Sequence, residues 1–515
     1  MLPSLDYRQQ QVHQWQGVYQ HHLQQRLAVT LHYIQNRSRA EVRTHFRSFT
    51  TAIHEAQRYP ELYGSILAII TNLHPLPLRW GYGAAWQPWL NFAIQNTAQE
   101  NKRALYHNDL ADYFFFSGEF DKSMEHAGIV FSMANPSPVQ LARSVRVLFT
   151  SYRSLGQSLQ AEALIKEMFF EFEAHKPASE VSGSKALAWL RFNQNRLELL
   201  REEGKLNEAL TLVEDMISLD EQLGRPDTLL TADLITHRST LLWNVASYEC
   251  SVADLKFAID LYQSEDDLFN AESLYSNLGL VYWSMGKLDE AEQSLKRSIL
   301  FYQKSALQQL ISYDLGNLGL TYFARGDLEK AHHWTLEHIN HCRKIGFVSE
   351  MNRGRRNLGT ILYYLGAYEQ AIHETEAAHT YFEKRGSRDG YGLDDLWIAL
   401  CEDQLGKKEA AFSRASRILE WSKERESLVL EQVSLRCLAW FSPLEERVVL
   451  LERSLELAYQ LNRLLEQAAC LLMLASCTTD DLIWEKGLDL IKSIGAEPWL
   501  EGSTIDQPPF LPLLL

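Results

Sequence analysis

Apolar residues recur three or four positions apart through most of the chain, and short turn segments interrupt this helical spacing. The triplet Asn-Leu-Gly occurs three times at intervals of 40 residues, at Asn277–Gly279, Asn317–Gly319 and Asn357–Gly359. A second glycine follows seven residues after the glycine of each triplet, and an alanine follows five residues later. The pattern predicts a helix, a turn of about four residues that glycine permits, and a second helix, which together form a helical hairpin.

The two glycines of each hairpin are expected to have different roles. The first, as in Gly279, falls inside a helix, where glycine costs about 1 kcal/mol relative to alanine. That cost is understandable if two backbones approach each other closely at this point. The second, as in Gly286, falls in the turn, and the alanine after it, as in Ala291, allows the second helix to lie close to the first.

The same glycine-to-alanine spacing extends in both directions from the three clear copies. The further pairs are Gly406/Ala411, Gly204/Ala209 and Gly156/Ala161, with the weaker Gly118/Ser123 and Tyr248/Ala253. Beyond them, degenerate hairpins are predicted at Tyr63–Ala98, Glu431–Gln460 and Leu464–Ile494. A fixed period of tens of residues indicates stacked units, and atypical end units are expected because a stack must cap its open faces.

The hairpin sequence resembles the tetratricopeptide repeat (TPR) family. In one hairpin the matching residues are Tyr275, Leu278, Gly279, Tyr282, Gly286, Ala291, Leu295 and Ser298. The resemblance implies an all-α fold, a right-handed superhelical solenoid of about 10–11 antiparallel helical hairpins. The long Asn-Leu-Gly repeat is similar to those of kinesin light chains, the Leu-Gly-Asn spindle protein, bacterial peptide-sensing response regulators and the sensor arms of bacterial signal-transducing NTPases.

We expect five segments along the chain. They are a basic, Gln- and His-rich helical segment at 1–60, a degenerate hairpin at 61–100, a TPR array at 101–425, degenerate hairpins at 426–496 and an apolar, proline-containing tail at 497–515. The first segment carries an apolar stripe at helical spacing. Its members are Val12, Trp15, Tyr19, Leu23, Leu27 and Leu31. The first segment and the tail could each cap the solenoid or dock a partner, and the sequence leaves both alternatives open.

Charge separates the first segment from the rest of the chain. The 515 residues carry a net charge of -16, yet residues 1–60 hold seven arginines and no lysine against three acidic residues. The acidic balance argues against a chain that binds nucleic acid or anionic membranes as a whole, and it restricts any nucleic-acid contact to the first segment. The six cysteines form no C-x-x-C pair and residues 1–15 are polar, which indicates a reduced, cytoplasmic chain without a membrane anchor.

The resemblance to long TPR proteins also implies a set of ligand-binding residues on the concave face. By register these are Asn195, Asn277, Trp283, Asn317, Phe323, Arg353, Arg356, Asn357 and Tyr363. In the similar proteins such asparagines hold the main chain of an extended peptide, because one amide group both donates and accepts hydrogen bonds. Aromatic and arginine side chains would then take apolar and acidic groups of the ligand. The alternative is that Asn-Leu-Gly is a feature of the family alone and that the aromatic residues pack between neighbouring helices.

The motifs of common enzymes are missing from the sequence. It contains neither a phosphate-binding glycine loop nor a nucleophile elbow, and at His373 the H-E-x-x-H pattern fails because Ala377 replaces the second histidine. His338 and Cys342 are spaced as two metal ligands, but a structural zinc site needs four. We therefore expect no catalytic residues, no metal and no cofactor.

Two functions remain open at the level of the sequence. The first is a non-catalytic scaffold or adaptor that binds a protein or peptide partner in its concave groove. The second is a sensor or regulatory subunit that controls a separate enzyme, a protease or an NTPase, in a bacterial signalling or defence system.

Overall fold

The computed structural model describes residues 5–155, 157–174, 183–202, 205–304, 308–384, 391–425 and 427–513. Two expected turn glycines, Gly156 and Gly204, lie outside these ranges, as do Leu514 and Leu515. The described residues form 26 α-helices and no β-strand, which confirms the all-α prediction. None of these helices is both long and apolar enough to cross a membrane.

Six helices precede the repeats. They are α1 (Leu5–Asn36), α2 (Arg39–Thr44), α3 (Phe46–Ala56), α4 (Tyr63–Leu73), α5 (Leu76–Arg79) and α6 (Gly83–Asn96). The predicted hairpin at Tyr63–Ala98 is confirmed, since α4 and α6 lie within it and contact each other. Leu23 and Leu27 of α1 are buried, whereas Trp15 and Tyr19 are exposed, so the predicted stripe packs on the core at Leu23 and Leu27.

Eight hairpins follow within the described residues. They are α7 (Glu100–Ser117) with α8 (Phe120–Phe131), α9 (Pro138–Ser154) with α10 (Ser158–Glu173), α11 (Gly183–Glu202) with α12 (Leu206–Gln222), α13 (Thr228–Asn244) with α14 (Tyr248–Ser264), α15 (Leu268–Ser284) with α16 (Leu288–Lys304), α17 (Gln308–Arg325) with α18 (Leu328–Ile345), α19 (Val348–Tyr364) with α20 (Tyr368–Glu383), and α21 (Tyr391–Gln404) with α22 (Lys408–Glu424).

Two final hairpins complete the helical part of the chain. They are α23 (Leu428–Phe441) with α24 (Leu444–Gln460), and α25 (Leu464–Thr478) with α26 (Asp481–Ser493). They confirm the two degenerate hairpins that the sequence predicts. A short 3₁₀ turn at Glu497–Leu500 and an extended stretch end the described chain.

The helices belong to two compact units. Unit 1 consists of Met1–Leu241 and Lys256–Ala271, and unit 2 consists of Leu242–Leu255 and Glu272–Leu515. In unit 1 the basic first segment is held by acidic residues, because Arg39 donates to the main-chain oxygen of Glu265 at 3.0 Å and Arg43 lies 3.3 Å from Asp266. Part of the positive charge of that segment is therefore neutralised inside the unit.

The turn glycines adopt the backbone conformation that the spacing predicts. Gly286, Gly326 and Gly366 have φ values of 72°, 86° and 76°, in the left-handed region that glycine enters without strain. The glycines inside the first helices allow close packing. A Cβ atom on Gly279 would lie 2.7 Å from Cγ of Leu295, and one on Gly319 would lie 2.7 Å from Oγ1 of Thr335.

The predicted pair Tyr248/Ala253 is wrong by two residues. Ala246 takes the left-handed turn position with φ of 58°, and Ser251 is the fully buried small residue five positions later, whereas Ala253 is exposed. The glycine pattern could not find this turn because alanine occupies it, at the cost of backbone strain.

His338 of α18 is enclosed between two neighbouring helices. Its ring lies against Gly316 of α17 and Gly354 of α19, where an added Cβ would come within 3.0 Å of ring atoms. Neither ring nitrogen has a hydrogen-bond partner among the described residues. Burial, with a smaller effect from the positive charge of Arg353, lowers the pKa of His338 to about 3. Glu350 lies nearby, with Oε2 at 3.8 Å from Nε2.

We predict that the Gly279→Ala substitution lowers stability although alanine favours helices. Its Cβ would overlap the Leu295 side chain, and such overpacking costs about 1–3 kcal/mol, against a propensity gain of about 1 kcal/mol. The matched control is Gly128→Ala in α8, where nothing lies within 4 Å of the new Cβ, so the midpoint of thermal unfolding should rise. Equal shifts of the two midpoints would contradict the close approach at Gly279.

We predict that His338 makes the fold sensitive to acid. Because its folded pKa is about 3 and its unfolded pKa is about 6.5, the unfolded chain binds the proton first, and stability is lost as pH falls below about 6.5. Between pH 7.5 and pH 5 this group should remove about 2 kcal/mol of unfolding free energy. In urea unfolding, the free energy that His338→Leu loses between pH 7.5 and pH 5 should be smaller than that of the parent chain by this amount. The exposed control His333→Leu should lose as much as the parent chain.

Candidate functional site

Three repeated asparagines lie beside the packed face of the first helices in unit 2. Asn277, Asn317 and Asn357 are each half-buried, and the leucine that follows each one is buried against the neighbouring helix. In the described part of the chain, no hydrogen bond of their side-chain amides is found. All three therefore keep the donor and the acceptor of the amide unpaired within the described residues.

Asn195 differs from these three asparagines. It belongs to unit 1 and is only 2% exposed, and its side-chain nitrogen has no hydrogen-bond partner among the described residues. The structure therefore places Asn195 inside the unit and away from an open surface.

The predicted aromatic ladder is largely covered. Trp283 is half-buried, but Phe323 is 1% exposed and Tyr363 is 7% exposed. The Phe323 ring meets the ring of Trp499 edge-on at 5.4 Å, and the Tyr363 ring lies 5.5 Å from that of Trp397. The expectation that these two rings line an open groove is not met, because the chain itself covers them.

The two predicted arginines also differ. Arg356 forms a two-pronged ion pair with Asp394, at 2.5 and 2.9 Å, and Asp394 is fully buried. Arg353 is 41% exposed in its side chain, lies 2.9 Å from Glu350 and stacks over the Tyr313 ring. Arg353 therefore keeps part of its guanidinium group exposed beside Glu350, whereas Arg356 is committed to a structural ion pair.

The chain that follows α26 includes the described part of the predicted tail. Residues 494–513, called the tail from here on, cross the turns of successive hairpins in unit 2. Ile494 packs against the turn glycine Gly286, and Trp499 packs against Gly326 one hairpin later. The indole Nε1 of Trp499 donates to the main-chain oxygen of Ala324 at 3.0 Å. These contacts explain why Phe323 is buried.

The last described residues of the tail have no regular secondary structure and are bound through their main chain. The hydroxyl of Tyr364 donates to the carbonyl oxygen of Phe510 at 2.8 Å. Two guanidinium nitrogens of Arg436 donate to the carbonyl oxygens of Leu511 and Pro512, each at 2.7 Å. Three successive carbonyl groups are thus held by side chains of the first helices, in the manner of a bound extended peptide.

Arg436 can donate hydrogen bonds to the tail from a buried position because Glu466 balances its charge. It is fully buried, and its Nε and Nη2 atoms lie 2.8 and 3.1 Å from the carboxylate of Glu466. Burial alone would raise the pKa of Glu466, but the charges of Arg436 and Arg463 outweigh it and hold that pKa below its ordinary value. The result is a neutral pair with two N–H groups directed at the tail.

Sequence reasoning missed Tyr364, Arg436 and Glu466. A usable signal was present, because Arg436 and Glu466 are charged residues within the strongly apolar helices α23 and α25. A charge at such a position is costly unless it is paired, so it marks a buried polar contact.

In the first repeat hairpin of unit 1 the corresponding helix position carries a charged residue. Asp109 stands nine residues before the turn glycine Gly118, as Asn277 does before Gly286. It is fully buried and lies 2.7 Å from Arg143, which also lies 2.6 Å from Asp112. Although burial opposes ionisation, the neighbouring His74 and Arg143 lower the pKa of Asp109. In this hairpin the position is therefore occupied by a buried, ion-paired carboxylate.

The cysteine and histidine cluster of α18 does not form a metal centre. Across the residues described, no group of three or more potential ligands is placed to hold a metal ion. His338 and Cys342 are both buried, and burial raises the pKa of the Cys342 thiol to about 11.

Comparisons with known proteins support the fold. The tetratricopeptide repeat family model matches residues 270–344. A Rap protein complexed with Competence and Sporulation Factor is 16% identical, with 69% of this chain and 98% of that chain covered and a TM-score of 0.52. No match was found among curated proteins.

Two further structures are similar at lower scores. The apo form of the quorum sensor NprR from B. thuringiensis is 14% identical, with 67% and 95% covered and a TM-score of 0.45. A signal transduction ATPase with a tetratricopeptide repeat sensor from Pyrococcus horikoshii is 13% identical, with 80% and 72% covered and a TM-score of 0.42. At 16% identity, the similarity to the Rap protein concerns the fold alone. The two structures with lower TM-scores add no further support.

The family match, the 40-residue period and the helical hairpins with their left-handed turn glycines agree with one another. Residues 270–344 therefore belong to tetratricopeptide repeats, and the hairpins on either side of them are similar in architecture.

Proposed function

We propose that this chain is a non-catalytic adaptor that binds a protein or peptide partner along the first helices of the hairpins in unit 2. One observation carries the proposal. An extended segment, the end of the tail, is bound on these helices through three successive main-chain carbonyl groups. The surface therefore has the chemistry that an extended peptide needs.

The repeated asparagines would extend this recognition across neighbouring hairpins. Packed helices lie about 8–10 Å apart, and an extended chain advances about 3.3 Å per residue, so neighbouring sites would meet about every third ligand residue. Asn317 and Asn357 would hold the ligand's main chain, and the accessible Arg353 would hold an acidic side chain beside them. The buried Phe323, Tyr363 and Arg356 would support these residues from beneath.

The fold of the Rap protein supports a binding function, since that protein was crystallised in complex with Competence and Sporulation Factor. Control of a separate enzyme would be a form of the same function, in which the captured partner is a protease or an NTPase. The identity of the captured partner distinguishes an adaptor from a regulatory subunit.

We predict that Asn317→Ala combined with Asn357→Ala weakens partner capture without changing helicity. Each asparagine contributes hydrogen bonds worth about 0.5–1.5 kcal/mol, so the double variant should bind roughly 5- to 150-fold more weakly. The measurement is affinity capture by the immobilised full chain followed by quantitative mass spectrometry, with circular dichroism to check the fold. Arg356 is left intact, because its loss would strand the buried Asp394.

The matched control is Asn340→Ala, which removes an exposed amide from the second helix α18. It should retain every partner that the parent chain captures. Undiminished capture by the double variant would exclude the asparagine face as the binding site.

A further inference from the structure

We propose that residues 508–513 are a displaceable internal ligand, and that the site beneath them accepts an extended, apolar, proline-containing segment of a partner. This inference rests on the proposed function and deepens it, because it names the chemistry of the ligand and the element that withholds the site.

The mode of attachment is that of a ligand. The polar contacts to this segment go to the carbonyl oxygens of residues 510–512 and come from Tyr364 and Arg436. Such contacts recognise an extended main chain whatever its side chains, and buried apolar side chains then give specificity. Here those side chains are Phe510, Leu511 and Leu513, all of which are buried.

The buried ion pair supports the same conclusion. Apolar residues could fill the space of Arg436 and Glu466 with equal or greater stability, because desolvation of a buried pair offsets most of its attraction. What an apolar residue could not do is direct two N–H groups at adjacent carbonyl oxygens. Arg436 also stacks over the Phe510 ring at 5.1 Å, so the guanidinium contacts both the main chain and the aromatic side chain of the segment.

The connection to the rest of the tail permits release. Trp499 remains anchored at Ala324, and the next residues form a surface turn in which Thr504 and Gln507 exchange two main-chain hydrogen bonds. Glu501, Gly502 and Asp506 in this turn are exposed. Residues 508–513 can therefore leave the site without unfolding a helix or moving Trp499.

The sequence of residues 508–513 also indicates which residues a competing ligand would contain. Its sequence, Pro-Pro-Phe-Leu-Pro-Leu, bears no charged side chain, and its prolines keep it extended and remove N–H groups that would otherwise need partners. The aromatic ring lies between Arg436 and Trp440, whose ring centroid is 4.9 Å away. The ligand for this site is accordingly an uncharged proline-containing segment with one aromatic residue followed by leucines.

The test uses the full chain with a site-specific protease sequence inserted between Ile505 and Asp506. The chain is folded first and then cut, so that residues 508–513 stay bound without a covalent tether. Binding of a fluorescent synthetic peptide of residues 506–515 is followed by anisotropy. We expect the cut chain to exchange its segment for the labelled peptide, and the uncut chain to bind it at least about 100-fold more weakly, because a short tether presents the internal segment at about millimolar effective concentration.

Two variants check the contacts in the cut chain. Tyr364→Phe removes the hydroxyl that binds the Phe510 carbonyl and should weaken peptide binding about fivefold, whereas Tyr459→Phe, which alters an exposed ring on α24, should leave binding unchanged. A labelled peptide carrying Phe510→Ala should bind at least tenfold more weakly than the parent peptide, because alanine makes no aromatic contact and leaves the space of the ring empty.

Failure to exchange, or loss of helicity on cutting, would show that the segment is a permanent part of the core and would overturn the inference. Equal partner capture by the cut and uncut chains would also overturn it, and if that capture still depends on Asn317 and Asn357 the proposed function stands. If the peptide exchanges but neither the cut nor the uncut chain captures a partner in a way that depends on Asn317 and Asn357, the result would count against the proposed function alone.

Discussion

Close approach of the two helices in each hairpin is the contact on which the rest of this structure depends. At Gly279 a single added carbon would overlap Leu295, and the turn that follows requires the left-handed conformation of Gly286. With no side chain between the backbones, the leucine beside each such glycine packs inward and the preceding asparagine stays near the surface. In these three hairpins one packing constraint therefore accounts for the position of the glycine and for the half-buried place of the asparagine before it.

The same position in the hairpin performs different tasks along the chain. In unit 1, Asp109 forms buried ion pairs, whereas in unit 2 the equivalent Asn277 keeps its amide available. At other positions of the first helices, close to the tail, Arg436 and Glu466 neutralise each other while the guanidinium binds carbonyl groups. The hairpin backbone tolerates these changes because its stability comes from the buried glycine, alanine and leucine positions.

Local features of the sequence predicted the hairpins well, since helix periodicity and turn glycines act within about 20 residues of chain. The prediction failed at Tyr248/Ala253, where Ala246 adopts the turn conformation that was sought at a glycine. Site residues were harder to assign. Asn317 and Asn357 are half-buried, whereas Phe323 is buried because Trp499 covers it, and no local pattern associates Phe323 with Trp499.

The sequence by itself determined the fold class, the period and the positions of the turns, because hydrogen bonds within helices and the freedom of glycine are properties of short stretches of chain. Only the tertiary structure decided what covers the helices of unit 2. Trp499 and Ala324 are 175 residues apart, and they meet because small rotations between stacked hairpins accumulate until the end of the chain reaches earlier turns. That accumulated geometry cannot be read from any single repeat, and it determines which aromatic residues are buried and which amides remain accessible.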